Sequence, residues 1–367
     1  MRKHYIDNLR WLILLILIPY HTAQAWNTWG EPNYIFFEGN RVISSFIVFF
    51  SPFFMPLLFV LAGIGTKYAL QKRTTKEYLA ERVRRLLIPF LYGTLVLTPV
   101  MAYLADKFHY SYNGGFLKHY GVFFTKFTDL TGADGGFSVG QFWFVLYLFV
   151  ISILSVVGLS LLKNRAVNAD EKVNRKADEK PEKSVSLWPI FMLGLPLPIL
   201  SDLLSIGGKS FAEYLYLFLL GYLVFSDDRI ISKLEKYAGI WISFGLAAAV
   251  LNVYLFLWAD GTYELLNDVA KYLSEWVMVL ALIGLAKRYL NFHGPVSEYM
   301  KKRSFLFFTY HFIWVVVIQY LLYGIVGNQT FILFAGTVLL AYLMTFVCCE
   351  ISIRIPVLCF LTGVKKG

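Results

Sequence analysis

The stretch YIDNLRWLILLILIPYH, Tyr5 to His21, places Arg10 and His21 at the two ends of a run that is otherwise almost purely apolar. Eleven positions separate them, and at 3.6 residues per turn that is about 1100°, within about 20° of whole turns, so the two side chains share one face of a helix. The same spacing puts them about 16 Å apart along the axis. Arg10 then sits at one boundary of a bilayer, and His21 lies near or past its midplane. Pro19 is expected to kink the helix and free a carbonyl, which a membrane tolerates where the site is wet or buried in protein. An ionisable group at that depth is costly and usually lines a cavity or a pathway. The plainer reading is a histidine hydrogen-bonded to a neighbouring helix.

The rest of the chain fits such a helix. Of 367 residues, 57% are hydrophobic and 16% charged, and the mean hydropathy is +0.58, well outside the range of soluble domains. Apolar segments recur near 9–27, 44–66, 86–105, 140–162, 187–205, 211–226, 238–258, 271–290, 304–323 and 330–353. This predicts an all-α, polytopic integral membrane protein with about ten transmembrane helices in a single domain. Of the 34 Lys and Arg, 27 fall in alternate loops and only six in the others. The positive-inside rule therefore predicts cytoplasmic N- and C-termini.

Topology accounts for the net charge of +10, so no nucleic-acid partner is inferred from it; the lipid bilayer is the expected environment. Residues 163–186 are charged, mixed in sign and poor in aromatics, and read as a flexible cytoplasmic linker. Residues 106–140 form the one long loop expected outside, a candidate recognition surface. Arg2 and Lys3 before an apolar core, with Ala23–Ala25 after it, resemble a cleavable leader, but Asp7 and Arg10 intrude on that core. Cys348, Cys349 and Cys359 lie in or just after the last apolar segment without metal-type spacing, so neither a disulfide framework nor a metal site is expected. No internal repeat supports an inverted-repeat transporter. Intramembrane His, Glu and Arg nonetheless keep a proton-coupled secondary transporter as the alternative.

YIDNLRWLILLILIPYH resembles the first-helix signature of the family 3 membrane acyltransferases, on Asp7, Arg10 and His21. FFMPLLFVLAGIGTKYAL (Phe53–Leu70) is similar to the family's second helix, and RVRRLLIPFLYG (Arg82–Gly93) to the paired-arginine start of its third. QFWFVLYLFV (Gln141–Val150) resembles a Trp-Phe-Leu stretch of the family, with Gln141 where many members carry His, and SFLFFTYHFIW (Ser304–Trp314) resembles its late Tyr-His element. Within the family the resemblance is nearest to the glucan-modifying succinyltransferase branch.

The resemblance implies ten helices in a bacterial inner membrane. It implies transfer of an acetyl or succinyl group from cytoplasmic acyl-CoA, a substrate rather than a bound cofactor, to a hydroxyl of an extracytoplasmic glycan, with a homodimer possible. The catalytic candidates are His21 as general base with Arg10 and Asp7 beside it. The candidates for holding the donor are Arg82, Arg84 and Arg85, whose guanidinium forks suit phosphates, with Tyr310, His311 and Trp143. His311, about seven residues into its apolar segment, is expected to lie shallower than His21. Tyr310, Trp143 and Asn252 are possible oxyanion donors and Glu275 a possible orienting group.

Overall fold

The computed structural model describes residues 3–128, 130–170, 186–259 and 262–364, with side chains described outside 159–170. Residues 171–185, most of the expected linker, lie outside the described residues. The chain is helical nearly throughout: α1 (His4–Gln24), α2 (Arg41–Leu70), α3 (Thr75–Tyr110), α4 (Phe116–Phe123), α5 (Trp143–Asp170), α6 (Leu187–Leu200), α7 (Phe211–Leu223), α8 (Asp228–Lys236), α9 (Ala238–Leu257), α10 (Glu264–Tyr289), α11 (Pro295–Val326), α12 (Thr330–Arg354) and α13 (Pro356–Leu361). Among the described residues the only strands are β1 (Ser205–Ile206) and β2 (Lys209–Ser210). They form a hairpin turned by Gly207 and Gly208, whose φ of +56° and +71° suit a tight two-residue turn.

Seven helices among the described residues are long and apolar enough to cross a membrane: α2, α3, the first part of α5, α9, α10, α11 and α12. The other three apolar segments are helical but built differently. α1 has 21 residues, about 31 Å of rise and enough for a bilayer, but Asp7, Asn8, Arg10, His21 and Gln24 dilute its hydropathy. It is carried by neighbours instead of lipid. Asn8 donates to the carbonyls of Leu290 (2.7 Å) and Phe292 (2.9 Å) and accepts from Trp11 (3.1 Å) and from the Ser297 hydroxyl, so one fully satisfied amide ties α1 to the turn between α10 and α11.

α6 and α7 are too short to span alone. α6 turns out of helix over 193–196, in a stretch carrying Pro189, Pro196 and Pro198. The Trp276 indole of α10 enters this break, donating to the Ile190 carbonyl at 3.2 Å. Gly194 makes room, since a Cβ there would lie 2.4 Å from the indole. α7 crosses α2 at two glycines. A Cβ on Gly63 would lie 2.0 Å from the Phe218 carbonyl oxygen, and one on Gly221 would lie 2.1 Å from that of Val60. Without side chains the two backbones come together, the small-residue packing typical of membrane helices.

α3 is one continuous helix containing two π turns, Val83–Leu87 and Gly93–Leu97. Its start is fixed by a reciprocal cap between Thr74 and Glu77. Among the described residues, the start of the chain, the loops around 67–85 and 226–229, and the stretch near 363 gather at one end of the bundle. Lys3 pairs with Asp228 and lies over Tyr68, Tyr68 donates to the Ser226 carbonyl at 3.1 Å, and Gly363 packs on the backbone of Arg84 and Arg85. Both described chain ends are therefore at this end.

The long loop after α3 is internally bonded. The Asp134 carboxylate accepts from Thr128 (2.6 Å) and the Gly136 amide (2.9 Å) and lies 3.1 Å from the Lys126 ammonium, which also donates to the Asp134 carbonyl at 2.6 Å. Although partial burial opposes ionisation most, these bonds together hold the Asp134 carboxyl below its usual range. A depressed carboxyl stabilises the loop at pH above its unfolded value, and that contribution disappears as pH falls through the folded one. Amide protection around 126–136, taken relative to the intrinsic exchange rate at each pH, should therefore fall on acidification below about pH 4. In Asp134→Asn exchange should already be fast at neutral pH; an unchanged pattern would remove Asp134 as the loop's clasp.

Candidate active site

The site is built from the last turns of α1 outward. Pro19 cannot donate to the Leu15 carbonyl, and the Tyr342 hydroxyl of α12 donates to that oxygen at 2.6 Å, so the freed carbonyl anchors α1 to α12. Two residues on, the half-buried His21 ring stacks on Phe312 of α11, centres 4.1 Å apart and planes at 26°. Its centre is 5.2 Å from that of His311. Gln319 holds the two helices in register by donating to the Thr22 carbonyl at 3.0 Å.

The two histidines therefore meet, which corrects the expectation that His311 is the shallower. α11 starts at Pro295, nine residues before the apolar segment begins, because Tyr299, Lys301, Lys302 and Arg303 continue the helix past the hydrocarbon edge. His311 is thus mid-helix. Its Nδ1 lies 2.7 Å from the Phe308 carbonyl, and its Nε2 is buried without a partner. Gln141 joins the same region, donating to the Thr309 carbonyl at 3.3 Å, with its own Oε1 buried and unpartnered.

A polar surface continues beyond His21 toward the end opposite the basic loops. The Tyr20 hydroxyl is 2.6 Å from Ser51 Oγ and accepts from Gln24 at 3.2 Å. Lys209, on the hairpin, lies over Trp143 and within electrostatic reach of His21. Trp143 packs against Tyr147 and Tyr214. The adjoining Phe142 fills the space over Gly93, eleven residues along α3 from Arg82. Trp143 is accordingly at the level of the histidines, not of the arginines. Tyr310 turns to α12, its hydroxyl accepting from Ser352 at 2.9 Å. Asn252 is spent on the Val48 carbonyl at 3.3 Å, a tie between α9 and α2. Glu275 is buried near Glu213 and Lys271.

At the other end, Arg10 is 3.5 Å from the Asp7 carboxylate, one turn away, and reaches the Leu61 carbonyl at 3.5 Å past Gly65. Arg82 lies within electrostatic reach of Arg10. Its side chain is 18% exposed, it stacks on Tyr78 at 4.7 Å, and its Nε is buried without a hydrogen-bond partner. Arg85 bonds Glu81 at 3.0 Å, and Arg73 also pairs with Glu81. Arg84 is exposed. Only Arg82 of the three thus turns inward toward Arg10, and Glu81 compensates part of the positive charge. The sequence reading missed Glu81, Lys209 and Tyr20; Glu81, one residue before Arg82, could have been found from its i, i+4 spacing to Arg85.

One face of α1 therefore carries Arg10 in its first half and, in its last turn, His21 against His311 of α11, an arrangement that can hold an anionic group toward one end and move a proton toward the other. A family model described as an acyltransferase domain, that of the acyltransferase-3 family, matches residues 3–349. The chain belongs to the acyltransferase-3 family, and is a multi-pass membrane acyltransferase. No curated protein and no solved structure matches it.

Proposed function

We propose that the protein transfers an acetyl or succinyl group from acyl-CoA, entering from the cytoplasmic side at Arg10 and Arg82, to a hydroxyl of an extracytoplasmic glycan entering from the opposite side past Tyr20 and Lys209. The observation that carries this reading is the shared face of α1. Arg10 and His21 are separated by about 16 Å of helix, a span comparable with a pantetheine arm, so the thioester can reach the imidazole while the nucleotide stays at the boundary. Arg82, inward-facing and with a buried N–H to offer, suits a phosphate of the donor. His21 in its neutral form takes the hydroxyl proton as the oxygen attacks the thioester carbonyl.

The decisive measurement uses purified protein with radiolabelled acetyl- or succinyl-CoA and a glycan acceptor. The expected result is free CoA and labelled glycan in equal amounts. A proton-coupled carrier would instead give flux across proteoliposomes with the thioester intact, and that outcome would overturn the proposal. Within it, Arg82→Ala should weaken acyl-CoA binding by about 10- to 100-fold, the range of a lost charge-assisted hydrogen bond. Arg84→Ala, at an exposed position, should change it by no more than about twofold. Equal effects in the two variants, read by thermal shift with CoA, would return both arginines to a purely topological role.

A further inference from the structure

Nε2 of His311 stands beside His21 as a buried acceptor with no use in the folded protein. The His311 ring is 0% exposed, and its Nδ1 lies 2.7 Å from the Phe308 carbonyl oxygen. A carbonyl only accepts, so Nδ1 carries the hydrogen, and in the neutral ring Nε2 is the bare nitrogen. No group among the described residues donates to it. The other rings around His311 belong to Phe307, Phe308 and Phe312, none of which has an N–H or O–H. His21, with ring centres 5.2 Å away and planes at 39°, is the ring neighbour that does. At that separation a modest side-chain rotation brings a ring N–H of one imidazole to a ring nitrogen of the other.

We infer that His311 is a positioning residue, whose Nε2 accepts the N–H of His21 in the reacting state and so fixes the tautomer in which the other His21 nitrogen is bare and available to the acceptor hydroxyl. The inference rests on the acyltransferase reading above. In the transfer step the hydroxyl oxygen bonds to the thioester carbonyl carbon and its proton moves to the bare nitrogen of His21. The C–S bond then breaks, and the departing CoA sulfur takes that proton, giving ester and free thiol. His311 keeps its hydrogen bond to His21 throughout and ends unchanged. While His21 carries both protons, the lone pair on His311 stabilises the imidazolium, as the carboxylate does in a Ser-His-Asp triad, but as a neutral acceptor. The Phe308 carbonyl is the third member, because it holds the hydrogen on Nδ1 and leaves Nε2 as the bare nitrogen of the ring beside His21.

Two substitutions separate positioning from packing. His311→Phe keeps an aromatic ring among Phe307, Phe308 and Phe312 but removes the acceptor; kcat should fall by about 100-fold with KM for acyl-CoA unchanged. His311→Gln offers an amide oxygen at similar reach and should recover at least about tenfold of that loss. Turnover of His311→Phe within about threefold of wild type, a loss carried by KM, or equal losses in the two variants accompanied by lowered melting temperatures would each overturn the inference. The wild-type protein, assayed in parallel, tells the two failures apart: no thioester cleavage there defeats the acyltransferase reading, whereas an active wild type with an indifferent His311→Phe defeats only the role of His311.

Discussion

His21→Ala should release CoA from acyl-CoA at a rate about 10²- to 10⁴-fold below wild type in the presence of acceptor, the range of a lost general base. It should nevertheless bind acyl-CoA as wild type does, because the groups at the donor end, Arg10 with Asp7 and the nearby Arg82, are about 16 Å along α1 from the imidazole. The fold should persist as well. His21 is half-buried and stacked on Phe312, and α1 remains anchored through Asn8, Leu15 and Thr22. Single-turnover quench of labelled acyl-CoA reads the chemical step, and thermal shift with CoA reads binding. Near-normal turnover would end the assignment of His21. A parallel loss of CoA affinity would mean that the imidazole touches the donor more than it serves the acceptor.

Gly63→Ala should be the most destabilising single-methyl change in the membrane region. The added carbon would stand 2.0 Å from the Phe218 carbonyl oxygen, and the atom it meets is backbone, which has no rotamer to escape into. Ordinary overpacking costs about 1–3 kcal/mol; separating α2 from α7 should exceed that and lower the melting temperature in detergent accordingly. Gly221→Ala should do the same from the other side of the crossing. Gly324→Ala supplies the control: it lies inside α11 with nothing near its missing Cβ, and removing a helix-interior glycine stabilises by about 0.5–1 kcal/mol. If Gly63→Ala melts with wild type, the two helices do not cross at their backbones.

The helical, membrane-spanning character of the chain was legible because the bilayer imposes a length on apolar runs, and each of the ten runs contains helix in the structure, although that at 187–205 is broken over 193–196. The different build of α1, α6 and α7 was less legible. A window of hydropathy cannot tell whether a segment faces lipid or protein, and it registers Asn8 as a penalty when its four hydrogen bonds make it a tether. At the site, the Asp7–Arg10 pair followed from helical spacing alone. The meeting of His21 with His311 did not, because the depth of His311 depends on where α11 begins, and polar residues such as Lys301 and Arg303 hide that start from any apolar count. That Arg85 turns outward to Glu81 when Arg82, three residues before it, turns inward was hidden for another reason: the π turn between them breaks the 100° step by which a helical wheel would put both on one face.

The same π turn makes chain length a more sensitive variable than residue identity along this part of α3. Each such turn accommodates one residue more than an α turn would. Deleting a single residue within 83–87 would let the segment close to α geometry with its flanking turns near their present phase, whereas any further loss would swing everything on one side of it by about 100° relative to the other. Arg82 and the Phe142-facing Gly93 could then no longer both meet their present neighbours. Sequences that share this architecture should therefore tolerate the loss of one residue there, with the π turn closing to an α turn, while refusing larger deletions and keeping an apolar side chain at Leu86, a spacing rule enforced by the phase of the helix.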